Sequence, residues 1–178
     1  MRFVNVSPHR SGTQSVTAFC RAQGLTALHW QGLEFEARCV SRGEAWAAAK
    51  PLLATADVAS DLPWPIVYPD VAATTDAGFF LVRRKPAAWI RSVRGMMAGR
   101  PMGPLERLFF RELTGRWEDR IEAYSEAELA AAYAGFLAAA RNDLGARLTL
   151  FDLEDPALAD KLAKYLGVAK RDEMGRLK

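Results

Sequence analysis

Phe79 to Val82 is an unbroken apolar run that ends in the charges of Arg83, Arg84 and Lys85, with Pro86 directly behind them. A strand without polar alternation is covered on both faces, which calls for a parallel sheet with helices above and below. Pro86 lacks the amide hydrogen that a first helical residue would leave unpaired, so it opens a helix bearing Trp89, Ile90 and Val93. The unit is strand, basic turn, helix.

The same order recurs along the chain. Arg2 to Val6 is β-prone, a polar loop follows, and Val16, Phe19 and Cys20 then stand at helical spacing until Gly24. Leu25 to Trp30 returns as a second strand, and Arg147 to Leu153 is a late strand before a helix from Pro156 to Tyr165, stopped by Gly167. Strands alternating with helices predict an α/β chain built on a parallel sheet.

Between these units, Glu44 to Ala54 is predicted helical until Pro51 bends or ends it. Pro63, Pro65 and Pro69 make the stretch after Asp61 a shaped turn leading at most into a short helix. Pro104 to Tyr124 reads as one helix of mixed charge, and Ser125 with Glu128 forms a capping box for an alanine-rich helix ending near Gly145. The tail from Ala169 to Lys178 is charged and expected to fray. With 178 residues, the expected organisation is one domain over 1–178 with a helical insertion at about 95–145.

Charge and cysteine content narrow the partners. A net charge of +3 is too weak for a protein that coats nucleic acid but suits an anionic small molecule. Cys20 and Cys39 are the only cysteines, and Cys20 falls on an apolar helix face, so a disulfide scaffold is not expected and a reducing, cytoplasmic setting is. The N-terminal residues carry no secretory pattern, and the longest apolar run, Leu129 to Ala140, falls short of the roughly 20 residues of a membrane span.

The loop VSPHRSGTQSV, Val6 to Val16, is where chemistry is expected. A chain leaving a parallel strand here starts a helix whose first amides have no internal partners and whose dipole favours an anion. Gly12 permits close backbone approach, Ser11, Thr13, Gln14 and Ser15 offer donors, and Arg10 adds a full charge. An ordinary capped turn reads equally well from this loop alone. The second glycine and the lysine of GxxxxGK[ST] are absent, which disfavours a magnesium-dependent triphosphatase or nucleotide kinase. Arg84 in the basic turn, with Ser92 two helical turns further on, offers a second anion site if the two strands are neighbours.

Taken together these motifs resemble the sulfotransferase superfamily, which transfers a sulfuryl group from 3′-phosphoadenosine 5′-phosphosulfate. Arg10-Ser11-Gly12-Thr13-Gln14-Ser15 is similar to the family's 5′-phosphosulfate loop, and Arg84, Pro86, Trp89 and Ser92 to its 3′-phosphate motif. SDLPWPIVYPDV and RLTLFDLEDPALADKLAKYLGV resemble further family segments. The loop departs from the family in having His9 between Pro8 and Arg10, and Gln14 in place of a threonine.

The resemblance implies a P-loop-like three-layer fold and a co-substrate held by residues 10–15 with Arg84 and Ser92. It also implies a small-molecule or glycan acceptor, and no metal. Arg10 would stabilise the leaving phosphate, and either His29 or Asp61 would serve as the base that deprotonates the acceptor. A non-catalytic nucleotide- or phosphate-binding protein of the same fold is the alternative.

Overall fold

The computed structural model describes residues 1–169, so the expected fraying of the tail falls almost entirely outside the described residues. Five strands, β1 (Phe3–Asn5), β2 (Ala27–Leu28), β3 (Val58–Ala59), β4 (Gly78–Arg83) and β5 (Leu148–Asp152), form one sheet in the order β2-β3-β1-β4-β5. All neighbouring pairs are parallel. This is the expected α/β architecture.

The apolar run of β4 serves two cores. Phe79 and Leu81 enter one of them, Phe80 and Val82 the other, as the two-residue period of a strand requires. Helices α1 (Thr13–Ala22) and α8 (Leu158–Leu166) cover the second face. The first face is covered by α3 (Arg42–Ala49), α4 (Trp64–Thr74), α5 (Pro86–Met97), α6 (Pro104–Thr114) and α7 (Glu126–Leu144), while the short α2 (Leu33–Ala37) packs against α6. The result is three layers, helix, sheet, helix.

Three local expectations are corrected. The strand β3 was not foreseen, because two residues carry no periodic signal; its backbone pairs with β1 and β2 at once. The proline-rich stretch forms a full helix, α4. Pro65 sits in its first turn, where no amide is needed, and Pro69 interrupts the interior, but Trp64, Ile66, Val67, Tyr68 and Val71 are buried, and that burial outweighs the lost hydrogen bond. The helix expected from Pro104 to Tyr124 stops at Thr114, where Gly115 takes φ 73°. Helix α3 gives way at Lys50 to a 3₁₀ turn containing Pro51, as anticipated. Both cysteines are buried and free.

Because every strand runs the same way, the ends of β2, β3, β1 and β4 open on one edge of the sheet. The chain leaves β1 toward β2 on one side, and the crossover from β3 to β4 passes over β1 to the other side. The loop after β1 therefore sits where the connections diverge, the usual ligand crevice of an open parallel sheet.

Candidate active site

A buried polar network anchors the loop after β1. Asn5, Ser7 and Ser60 are fully buried. Asn5 Nδ2 donates to Ser60 Oγ at 2.9 Å, the Val82 amide donates to Ser7 Oγ at 2.7 Å, and the Ser7 hydroxyl donates to Asn5 Oδ1. The polar residues that interrupt the first apolar run thus tie the loop to β3 on one side and β4 on the other. Sequence reasoning assigned them no role, since buried and exposed polar residues look alike before the partners are known.

The loop ends at the N-terminus of α1. Gly12 is the N-cap at φ 80°, no side chain caps the helix, and no acidic residue stands in its first turn. No capping side chain or acidic group therefore competes with an anion at this helix end. The side of Gly12 that a Cβ would occupy is closed, because that atom would lie 2.6 Å from Leu153 Cδ1. Ser11 and Thr13 are buried, Ser15 is half-buried and Gln14 is exposed. Arg10 itself has φ 71°, a left-handed conformation that costs a non-glycine residue about 1–2 kcal/mol.

The two expected anion sites touch. Arg10 Nε donates to Ser92 Oγ at 3.2 Å, Arg84 Nη1 donates to the Arg10 carbonyl at 3.0 Å, and Trp89 Nε1 donates to the His9 carbonyl at 2.7 Å. The backbone at Arg84 is fixed in turn by Tyr133, whose hydroxyl accepts from the Arg84 amide at 2.8 Å and donates to its carbonyl at 2.9 Å. Two cations of the basic turn face elsewhere: Arg83 pairs with Asp152 at 2.8 Å and Lys85 with Glu154 at 2.7 Å. Arg84 alone of the three turns to the loop.

His29, at the end of β2, and Asp61, at the end of β3, come together with His9. Asp61 is buried and takes φ 69°. Its Oδ1 lies 2.6 Å from His9 Nδ1, and its Oδ2 lies 3.2 Å from His29 Nε2, which is also 3.4 Å from Thr13 Oγ1. Burial pushes the Asp61 carboxyl up, but the hydrogen bond from His9, the two imidazoles and the Leu62 amide outweigh it, and the net displacement is downward. Burial also pulls His29 below the usual histidine range, against the opposing pull of Asp61. An ionised carboxylate accepts only, so His9 donates its Nδ1–H to Asp61, while His29 Nε2 faces the same carboxylate and the Thr13 hydroxyl.

These residues line a cavity of about 640 Å³, walled on the far side by α2 and the link between α5 and α6. That wall was not anticipated. It includes Glu36, Arg100 and Glu106, with Arg100 forked onto Glu106 at 2.7 and 2.8 Å. Trp64, Tyr68 and Trp89 are buried in the core, and Trp30 lines the cavity.

No curated protein matches the chain, and no helix among the described residues is long and apolar enough to cross a membrane. A family model described as a sulfotransferase domain matches residues 3–168, nearly the whole chain. With that match, the parallel sheet and the loop at the head of α1, the chain belongs to the sulfotransferase domain family.

Proposed function

We propose that the protein transfers a sulfuryl group from 3′-phosphoadenosine 5′-phosphosulfate to a hydroxyl or amine of a small acceptor. We further propose that one catalytic domain over 1–178 carries the activity, in the cytoplasm. The observation that carries this reading is the contact between the two anion-binding turns: Arg10 and the uncapped end of α1 on one side, Arg84 and Ser92 on the other, bonded through Arg10 Nε and the Arg10 carbonyl. A nucleotide bearing phosphates on both its 3′ and 5′ positions is the ligand such a pair suits.

The donor supplies a sulfuryl group on a phosphate leaving group; the chain's residues do the rest. The N-terminal end of α1 with Ser11, Gly12, Thr13, Gln14 and Ser15 holds the 5′ end, and Arg84 and Ser92 hold the 3′-phosphate. Arg10 stabilises the charge that grows on the bridging oxygen as the sulfur–oxygen bond breaks, and it keeps its own proton throughout.

His29 is the base. Its Nε2 faces Asp61 and the Thr13 hydroxyl, so Nδ1 takes the acceptor's proton while the acceptor atom bonds to sulfur and the sulfur–oxygen bond to the phosphate breaks. Asp61, buried and ionised, orients the imidazoles and is not itself the proton acceptor. The lowered His29 value keeps the ring neutral and competent at pH 7.

Calorimetry with 3′-phosphoadenosine 5′-phosphate, adenosine 5′-phosphate and ATP tests the donor assignment. The bisphosphate is expected to bind tightest, and Arg84→Ala to weaken it about 10- to 100-fold while weakening adenosine 5′-phosphate several-fold less. Equal losses for the two ligands contradict the 3′-phosphate assignment, and a magnesium-dependent preference for ATP rejects the reading. Bisphosphate binding without turnover over a broad acceptor panel favours the non-catalytic alternative.

A further inference from the structure

The cavity beside the loop has two kinds of wall, and their difference bears on the acceptor. Its charged groups are almost all engaged by protein. Asp61 holds His9 and His29. Glu106 takes both Arg100 nitrogens and the Gly103 amide at 2.8 Å. Glu36 is buried, and burial with the neighbouring Glu106 pushes its carboxyl up, against the pull of the Trp30 indole and the Leu105 amide. Its oxygen presses so closely on α6 that a Cβ at Gly103 would lie 2.0 Å from it.

Apart from Thr13 and Gln14 on the loop side, the rest of the wall is mostly apolar. Leu62, Met96 and Met102 line the interior, and Trp30 and Leu33 stand at the opening. Leu33 is 75% exposed and Trp30 46%, two of the four exposed large hydrophobic residues among the described residues. Exposed apolar side chains concentrated on the rim of one cavity mark a binding surface, and methionine adapts to irregular apolar ligands.

From this we infer that the acceptor is an uncharged apolar alcohol or phenol, its hydroxyl directed to His29 and its body lying along Trp30, Leu33, Met96 and Met102. The inference rests on the sulfuryl-transfer reading for the role of the hydroxyl. A sugar needs a dense set of free donors and acceptors, and on the α2 and α6 side this wall has engaged its charges in internal contacts, His9 Nε2 on the loop side being a buried polar atom without a partner. An acidic glycan meets three carboxylates, Glu36, Asp61 and Glu106, while Arg100 is paired and Arg10 serves the donor.

The test is calorimetric titration of the full chain, saturated with 3′-phosphoadenosine 5′-phosphate, with 2-naphthol, 1-decanol, maltose and a hexuronate-containing disaccharide. Both apolar alcohols are expected to bind at least about 10-fold more tightly than either sugar. Leu33→Asn and, independently, Trp30→Ala are expected to weaken 2-naphthol by about 10-fold and to leave bisphosphate affinity within about 2-fold. Leu33 is too exposed for its replacement to threaten folding.

Tighter binding of a sugar, or naphthol affinity unchanged in both variants, overturns the inference. Bisphosphate binding accompanied by a sugar preference overturns the acceptor class alone. A chain that binds naphthol through Leu33 but no bisphosphate overturns the transfer reading and leaves the cavity's preference for apolar ligands established.

Discussion

Replacing Asp61 separates its charge from its shape. Asparagine tolerates the left-handed φ of 69° better than any other non-glycine residue, so Asp61→Asn removes the charge and leaves the backbone at rest. One hydrogen bond to a carboxylate, from His9 at 2.6 Å, and the ion-pair contact with His29 at 3.2 Å become contacts with a neutral amide, a loss of about 1 kcal/mol each. The relief of no longer burying a charge offsets part of this, for a net cost of about 1–2 kcal/mol. Asp61→Ala abandons both imidazoles and adds the left-handed penalty of a residue with no polar side chain, for about 3–4 kcal/mol.

Urea denaturation at pH 7 reads both values. Turnover against pH supplies a second readout. Asp61 raises the proton affinity of His29, so in Asp61→Asn the acid limb of the rate profile should move to lower pH even as the maximum falls. An alanine variant as stable as the asparagine variant, or an acid limb that moves to higher pH, refutes the account of Asp61 as an ionised clamp.

Other outcomes follow from the same geometry. Gly12→Ala should destabilise by about 1–2 kcal/mol in thermal denaturation, from the φ of 80° and the need for Leu153 to move aside; Leu153→Ala in the same chain should recover the part due to the clash. Tyr133→Phe leaves the Arg84 amide and carbonyl without the hydroxyl that serves both. It should cost about 2 kcal/mol in urea and weaken the bisphosphate through misplacement of Arg84. Acid should destabilise the fold in two windows. The His29 value is lowered on folding, so stability falls as pH drops below 6.5 toward the folded value. The Asp61 carboxyl is also lowered, so its contribution is complete above 3.8 and is lost as pH falls through the folded value. Urea midpoints from pH 8 to pH 3 should decline in the first window in wild type and lose that step in His29→Gln.

The strands with periodic or continuous apolar patterns were legible, as were the loop and the Arg84 turn, because each is a local signal. What could not be read is non-local. Val58–Ala59 is a strand only because β1 and β2 lie on either side of it. The α4 segment is helical because a core waits for Trp64 and Tyr68, against its prolines' own preference. His29 and Asp61 were named as rival bases; three strand ends meeting at one edge make them partners, with His9 as the third member. The cavity wall from Glu36, Arg100 and Glu106 involves stretches with little local pattern, and its charges reveal their pairing only when α2 and α6 are brought together.

The central place of the first strand has a consequence for the order of assembly. Residues 3–5 leave the ribosome before anything else of the sheet, yet their two neighbours lie at Val58–Ala59 and Gly78–Arg83. The hydroxyl that steadies Arg84 arrives later still, at Tyr133. The opening segment therefore waits for residues 58–59 and then 78–83 before it is paired on both sides, and the crevice closes around its loop only once Tyr133 has been made.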